Sequence, residues 1–467
     1  MIGPIAKTAS SKMTSHFFRA LTPVLVGILL LAATLFAAPS AYAVEVQRVR
    51  SPGGIEAWLV EDRTNPIVTL SLAFRGGAAL DPQGKEGLAS MVAGLIDEGA
   101  GDLDSQAFQG RLEDLSISLH FSADMDSFTG SLQSLTETRD TAFDLLRLAL
   151  TEPRFDEEPV RRIREQILTG LTRKIEDPDA IAGRTLNKLL YPRHPYGRPS
   201  DGTLESIAAV RTDDLRRFVA ERFGRDTLVI GVVGDISAAE LAPLLDRTFQ
   251  ALPAKAAPFD VPQVAPKVSG DLVVIEKDVP QSVVVFGQNG IARADPDYYA
   301  AYTVNYILGG GSFASRLYKE VREKRGLAYS VYSYLFPLDH SALVLGGVGT
   351  QNSRVAETLD LIRQEWRRFS EDGPTEKELR DAKTYLTGSF PLRFSSSSRI
   401  AGMLVGMQTE NLGIDYLDRR NSLIEAVTIE DARRVARRLY DASSLTIVVV
   451  GKPDGVTPTR PAPKLEG

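Results

Sequence analysis

The chain has no cysteine among its 467 residues. It therefore forms no disulfide, offers no thiolate metal site or thiol nucleophile, and has no thiol at risk in an oxidising compartment. Histidine is nearly as scarce. The four copies, at positions 16, 120, 194 and 340, lie far apart, and none is spaced from another as zinc ligands on one helix are. A Gly-x-Ser-x-Gly elbow is missing as well, so the sequence holds no sign of an independent hydrolase. There is no excess of positive charge either: the formal charge is −6, which disfavours nucleic acid as a partner.

What is present is a globular composition, 43% hydrophobic and 24% charged, on a chain too long for one ordinary core. Residues 1–43 stand apart. Lys7, Lys12 and Arg19 give a positive start, Leu21 to Ala38 is apolar, and Ala41-Tyr42-Ala43 offers small residues to a signal peptidase, the pattern of a secretory signal peptide. The apolar run approaches the length of a bilayer span, but Pro39 and the Ala-x-Ala site favour cleavage over a retained anchor. Cleavage would remove three cations and no anion, taking the formal charge from −6 to −9. The mature chain would then have no stable membrane span, and its expected location is the periplasm.

The rest of the chain repeats itself. Val210 to Gly234 (VRTDDLRRFVAERFGRDTLVIGVVG) aligns without a gap on Val427 to Gly451 (VTIEDARRVARRLYDASSLTIVVVG) at an offset of 217. Each copy reads as a charged amphipathic helix followed by a buried strand. Asp81-Pro82 and Asp295-Pro296 recur at the similar offset of 214, so the duplication is expected to span both halves. Ile55 to Val60 and Ile67 to Arg75 read as a first hairpin, with Leu272 to Glu276 and Ser282 to Gly287 as counterparts. Val355, Leu359, Ile362, Trp366 and Phe369 share one helical face, Gly373-Pro374 ends that helix, and Thr375 with Glu378 caps the next. The expected fold class is α+β, with two homologous domains, each a largely antiparallel sheet packed with helices. The expected boundaries are a signal at 1–43, domains at 44–252 and 269–452, a Pro-rich extended linker at 253–268, and a loose tail at 453–467.

The helix starting near Glu86 has Leu88, Met91, Val92, Leu95 and Ile96 on one stripe and Ser90, Ala93, Gly94 and Asp97 on the other. The segment GKEGLASMVAGLIDEGAG, preceded by RGGAALDP, resembles the part of the insulinase, pitrilysin and mitochondrial processing peptidase family that carries His-x-x-Glu-His. In that family the two histidines bind zinc and the glutamate activates the zinc-bound water. Here those places hold Ser90, Ala93 and Gly94. The family's third ligand, a glutamate on a later helix, falls on Gly170 of the helix Val160 to Ile175, while Glu165 reads as a solvated acid.

The second half keeps more of the resemblance. LGGGSFASRLYKEVREKRGLAYSVYSY, residues 308–334, is similar to the family's substrate-binding segment, including an arginine and a tyrosine seven positions later, here Arg322 and Tyr329. Ser315 to Arg325 reads as a helix stopped by Gly326, and Ala328 to Leu335 as a strand, an arrangement that would let both side chains converge on one ligand. Gly309, Gly310 and Gly311 resemble the family's glycine-rich loop, although a bare glycine run by itself signals a turn at positive φ. The resemblance spans Val44 to Gly451 and implies one half of a clamshell-shaped assembly. It further implies a non-catalytic subunit that binds no cofactor itself and contacts peptide or unfolded polypeptide through Arg322 and Tyr329, completing in trans the site of a zinc-bearing paralogue. The alternative is a structural or peptide-binding member with no part in catalysis.

Overall fold

A computed structural model describes residues 45–465. The signal-like segment 1–43 lies outside the described residues. Among the described residues eleven strands form two sheets. The first contains β1 (Gln47–Arg50), β2 (Glu56–Glu61), β3 (Ile67–Arg75), β4 (Ser118–Ala123), β5 (Ser127–Leu135) and β6 (Leu228–Gly234), in the order β1-β2-β6-β3-β5-β4. The second contains β7 (Leu272–Glu276), β8 (Gln281–Asn289), β9 (Ala328–Leu338), β10 (Ser341–Gln351) and β11 (Thr446–Gly451), in the order β7-β11-β8-β10-β9. With β1 set aside, the two orders are the same. In both sheets the late strand pairs parallel to one neighbour, β6 with β2 and β11 with β7, and every other pairing is antiparallel.

This order corrects the two expected hairpins. β2 and β3 are not neighbours, because β6 lies between them, and β11 likewise separates β7 from β8. The reason is the apolar character of the repeated strands: LVIGVVG and TIVVVG are almost wholly buried, and a run with no polar face belongs at the centre of a sheet. The repeated glycines that end them take positive φ, +138° at Gly234 and +154° at Gly451. A Cβ there would fall 2.1 Å from Ile67 O and 2.2 Å from Ser282 Oγ, so the backbone turns away from the sheet where no side chain fits.

Helices cover the sheets in an exchanged pattern. The helix Pro178–Leu190, from the first half of the sequence, lies on the second sheet, with Leu186 and Leu190 over Gly287 of β8. The helix Ser397–Thr409, from the second half, lies on the first sheet, with Ala401 and Leu404 over Gly231 of β6. Two hydrogen bonds fix this second contact, from Arg75 Nη2 to Thr409 O at 2.8 Å and from Gln408 Nε2 to Ile230 O at 2.9 Å. From Val46 onward the chain is accordingly one compact unit. The proline-punctuated stretch after Leu252 is extended and tied down, by Val264 N to His340 O and Lys267 N to Leu190 O. The stretch read as a loose tail is held at Thr459, which bonds Leu272 on β7 through both N–H and hydroxyl, and at Arg460, paired with Asp271 at 3.1 Å. Among the described residues no helix is long and apolar enough to cross a membrane.

Candidate functional site

The helix Leu88–Ala93 begins at Gly87, whose φ of +88° is left-handed. Asp81 caps it, accepting from Gly87 N at 2.9 Å and Ala89 N at 3.1 Å. Burial pushes the Asp81 carboxyl up to about 7 in spite of those two donors and the nearby Arg198. Leu88, Met91 and Val92, with Leu95 and Ile96 beyond the helix end, are buried as their spacing requires. On the opposite face the Ser90 hydroxyl donates to Ser200 O at 3.0 Å, Ala93 is buried, and Gly94 is exposed.

A Cβ on Gly94 would sit 3.4 Å from Ile163 of the helix Glu157–Glu176. Gly170 is on the stripe of Ile163 and Ile167, two turns along, and a Cβ there would meet nothing within 4 Å. The fold thus brings the four zinc-motif positions onto two neighbouring helices, and only one of the four side chains carries a donor atom, a serine hydroxyl already bonded to a carbonyl. This donor set does not fit zinc. Glu165 points elsewhere, is exposed, and pairs with Arg161 at 3.3 Å.

Arg322 and Tyr329 do converge. The Arg322 guanidinium carbon lies 4.5 Å from the centroid of the Tyr329 ring, 4.9 Å from that of Tyr318 and 6.0 Å from that of Phe313. Among the described residues Arg322 has neither a hydrogen bond nor an ion pair, and it lines an open cleft. Tyr329 is 81% exposed. The expected helix is present with a wider winding: after one turn of 3-10 helix at Ser312–Ala314, the segment Tyr318–Glu323 is a π-helix, a conformation that concentrates at functional sites. Gly326 has φ +59°, as a C-terminal stop requires, and β9 runs three residues beyond the expected Leu335, to Leu338.

The three glycines also need a corrected reason. None has positive φ. They lie at the end of a second π-helical segment, Tyr306–Gly310, which follows the helix Tyr298–Asn305, and they are small because that segment is pressed against other backbone. A Cβ would fall 2.3 Å from Ser333 Oγ at Gly309, 2.9 Å from Asn305 Nδ2 at Gly310 and 2.7 Å from Tyr306 O at Gly311. This approach lets Asn305 Nδ2 donate to Ser333 O at 3.1 Å while Ser333 Oγ donates to Asn305 Oδ1 at 2.9 Å. The outer edge of β9 is therefore capped at its middle. A cleft of about 570 Å³ results, lined by Tyr302, Tyr306, Phe313, Arg322, Tyr329, Tyr332 and Tyr334 among others. A larger cavity of about 820 Å³ lies away from Arg322, beside the 3-10 turn Pro195–Gly197. Its Arg198 is committed to Ala79 O and Asp81 O and lies 3.7 Å from Glu86.

The histidines behave in a way that their sequence spacing hides. His194 and His340 flank the ring of Tyr196, at 4.7 and 6.3 Å, and the ligand atoms of His340, Asp126 and Asp339 lie within 4.8 Å of one another. Asp126 is already engaged, accepting from Tyr196 Oη at 2.6 Å and Asp339 N at 3.0 Å, and burial raises its pKa. This cluster joins the turn between β4 and β5 to the turn between β9 and β10. Tight turns from opposite halves meet there, and only the fold makes that visible. His120 stays exposed on β4.

Comparison with known proteins finds both inactive and peptidase-named members of one family. The family model described as insulinase (peptidase family M16) matches residues 57–203, and that described as the peptidase M16 inactive domain matches residues 209–386. A Helicobacter pylori protein named non-peptidase homolog YmxG is 29% identical over 393 residues, 84% of this chain and 90% of its own length. An uncharacterized zinc protease YmxG of Bacillus subtilis is 28% identical over 312 residues, 66% of this chain and 74% of its own. The crystal structure of a peptidase M16 inactive domain from Pseudomonas fluorescens superposes with a TM-score of 0.82 at 31% identity, covering 90% of this chain and all of that one.

Proposed function

The chain belongs to the insulinase family of peptidases, family M16, as an inactive homologue, and from that premise we propose that it is the non-catalytic subunit of a heterodimeric zinc endopeptidase. The observation that carries the reading is Arg322: a half-buried guanidinium, free of hydrogen bonds and ion pairs, held over Tyr329 in an open cleft of a chain with no zinc ligands at Ser90, Ala93, Gly94 and Gly170. A half-exposed guanidinium that rests on aromatic rings instead of a carboxylate keeps its donors available to a ligand. Peptide carbonyls suit both groups, since the guanidinium donates through a planar fork and the tyrosine through its hydroxyl.

In this reading the partner supplies zinc and the general base, and this chain orients the scissile segment, lowering the barrier by positioning and by hydrogen bonds to developing negative charge. Both subunits would be exported to the periplasm, and the substrate is peptide or unfolded polypeptide. The test is peptidase activity of the chain from Val44 onward, alone and mixed with a His-x-x-Glu-His paralogue from the same genome. Silence alone, zinc-dependent cleavage on mixing, and a fall of at least tenfold with Arg322→Ala are expected. Full activity of the mixture with Arg322→Ala and Tyr329→Phe together would instead make the chain a structural subunit.

A further inference from the structure

Large apolar side chains exposed to solvent are few among the described residues, and four of the eight lie on one strand: Tyr329, Tyr332, Tyr334 and Phe336 of β9. β9 is an edge strand. Alternation puts Val331 and Ser333 inward and Tyr332, Tyr334 and Phe336 outward, so the three rings form a row on one face. Tyr332 and Tyr334 are stacked with centroids 6.1 Å apart, and Tyr334 and Phe336 meet edge to face at 6.2 Å. The row begins in the cleft that holds Arg322, which Tyr332 and Tyr334 also line. It is seated by glycine: β10 has Gly347 opposite Tyr332, where a Cβ would come 2.8 Å from Tyr332 Oη, so the ring lies across the sheet.

We propose that this row is a reading shelf for the substrate, selecting extended segments that carry aromatic or large apolar side chains at every second position. The inference rests on the proposed role of the Arg322 and Tyr329 cleft and names the class of peptide that enters it. Two observations favour this occupant. The first is spacing: side chains on one side of an extended peptide recur at about 6.6–6.8 Å, close to the ring spacing of the row, so successive side chains meet successive rings in register. Contacts of this kind add to area burial, so three made together give a preference. The second is the capped edge. Asn305 already occupies the outward carbonyl of Ser333, so a ligand cannot pair main chain to main chain along the whole of β9, and discrimination falls to the side chains. Arg322, at one end of the row, supplies the polar anchor for a backbone carbonyl.

The test uses the chain from Val44 onward and fluorescein-labelled decapeptides of one composition, flanked by lysine for solubility. One alternates phenylalanine with serine, a second groups the phenylalanines in a block, and a third replaces them by alanine. Fluorescence anisotropy is expected to show the alternating peptide binding at least tenfold tighter than the block isomer, and the alanine peptide weakest. The triple variant Tyr332→Ser, Tyr334→Ser, Phe336→Ser, checked for an unchanged circular-dichroism melting profile, is expected to bring the two isomers to equal affinity. Arg322→Ala should weaken both isomers alike and keep their ratio. If the ratio persists while Arg322→Ala weakens neither, the shelf stands and the role given to Arg322 fails. Equal affinity for the two isomers in the unaltered chain overturns the proposal. So does a triple variant that binds peptides as before but no longer forms the heterodimer by light scattering, because the row would then be a subunit interface.

Discussion

A methyl group added at Gly309 would lie 2.3 Å from Ser333 Oγ and 2.8 Å from Ser333 N, whereas at Gly170 it would meet nothing within 4 Å. Gly309→Ala is therefore expected to lower stability by about 1–3 kcal/mol, as overpacking against backbone does. Gly170→Ala, inside a helix, should raise it by about 0.5–1 kcal/mol, and urea denaturation of both variants checks the pair. A neutral Gly309→Ala would sink the close-approach account of the glycine run. The two aspartates of the duplication show the same dependence on surroundings. Asp295 is held below the usual carboxylate range by its hydrogen bond to Arg438, paired at 2.7 Å, while Glu221 stands where Arg438 would fall at the offset of 217 and burial lifts Asp81 to about 7. Because the folded pKa of Asp81 exceeds its unfolded value near 3.8, its contribution to stability is complete below about pH 4 and is lost as pH rises through 7. The urea midpoint should fall between about pH 4 and pH 7, and Asp81→Asn should flatten that fall; an unchanged slope in the variant would show that another group is responsible. Residues such as Ser90, Ala93 and Gly94 could be read from sequence because a local motif fixes their register. Asn305 could not, because its partner Ser333 is 28 positions away and no local pattern marks the pair.

Capping signals were legible for the opposite reason, since everything they need lies within four residues. Thr375 and Glu378 form the expected box, with Glu378 N donating to Thr375 Oγ1 at 3.2 Å and Thr375 N donating to Glu378 Oε2 at 2.8 Å. Thr375→Ala should cost about 1 kcal/mol. Glu378→Ala should cost more, because the same carboxylate holds both Nε and Nη2 of Arg316 at 2.7 Å. The Arg316 side chain is mostly buried over the Phe369 ring and Nη1 already lacks a partner. Removing its counter-charge is expected to cost about 2–3 kcal/mol, less than for a fully buried pair since Glu378 is partly exposed. Equal losses in the two variants, measured by thermal melting, would mean that the ion pair adds nothing to the cap. Strand pairing was legible only in part. Composition and the repeat marked β2, β3, β6, β7, β8, β9 and β11 but left β1, β4, β5 and β10 unread, and adjacency in sequence suggested the wrong neighbours, because an antiparallel hairpin is the local solution and the inserted β6 and β11 come from about 150 residues away. The unbroken apolar run of LVIGVVG was the available sign that it would take a central place.

At the scale of the molecule, duplication gave the halves and exchange made them inseparable. Each sheet depends on a helix encoded in the other half, which no repeat period announces. On the helix Ser397–Thr409 the side chains of Ile400, Ala401, Leu404, Val405 and Met407 are buried. The four larger ones, at roughly 1.5–3 kcal/mol each, sum to on the order of 10 kcal/mol, comparable with the net stability of an ordinary domain. The segment 44–252 alone would keep its own six strands but lose that cover over β3 and β6, and with it the bonds from Arg75 and Gln408. It would also expose the apolar face of Pro178–Leu190, which has no sheet of its own half to lie on. Expressed by itself it is expected to be insoluble or to bind a hydrophobic dye, and co-expression with 269–467 is expected to return both pieces to one soluble complex. A segment 44–252 that is monomeric and melts cooperatively alone would mean that the exchanged helices add little, and that the halves are domains in the ordinary sense. Loss of solubility repaired by the second piece would place the folding unit at the whole duplicated chain.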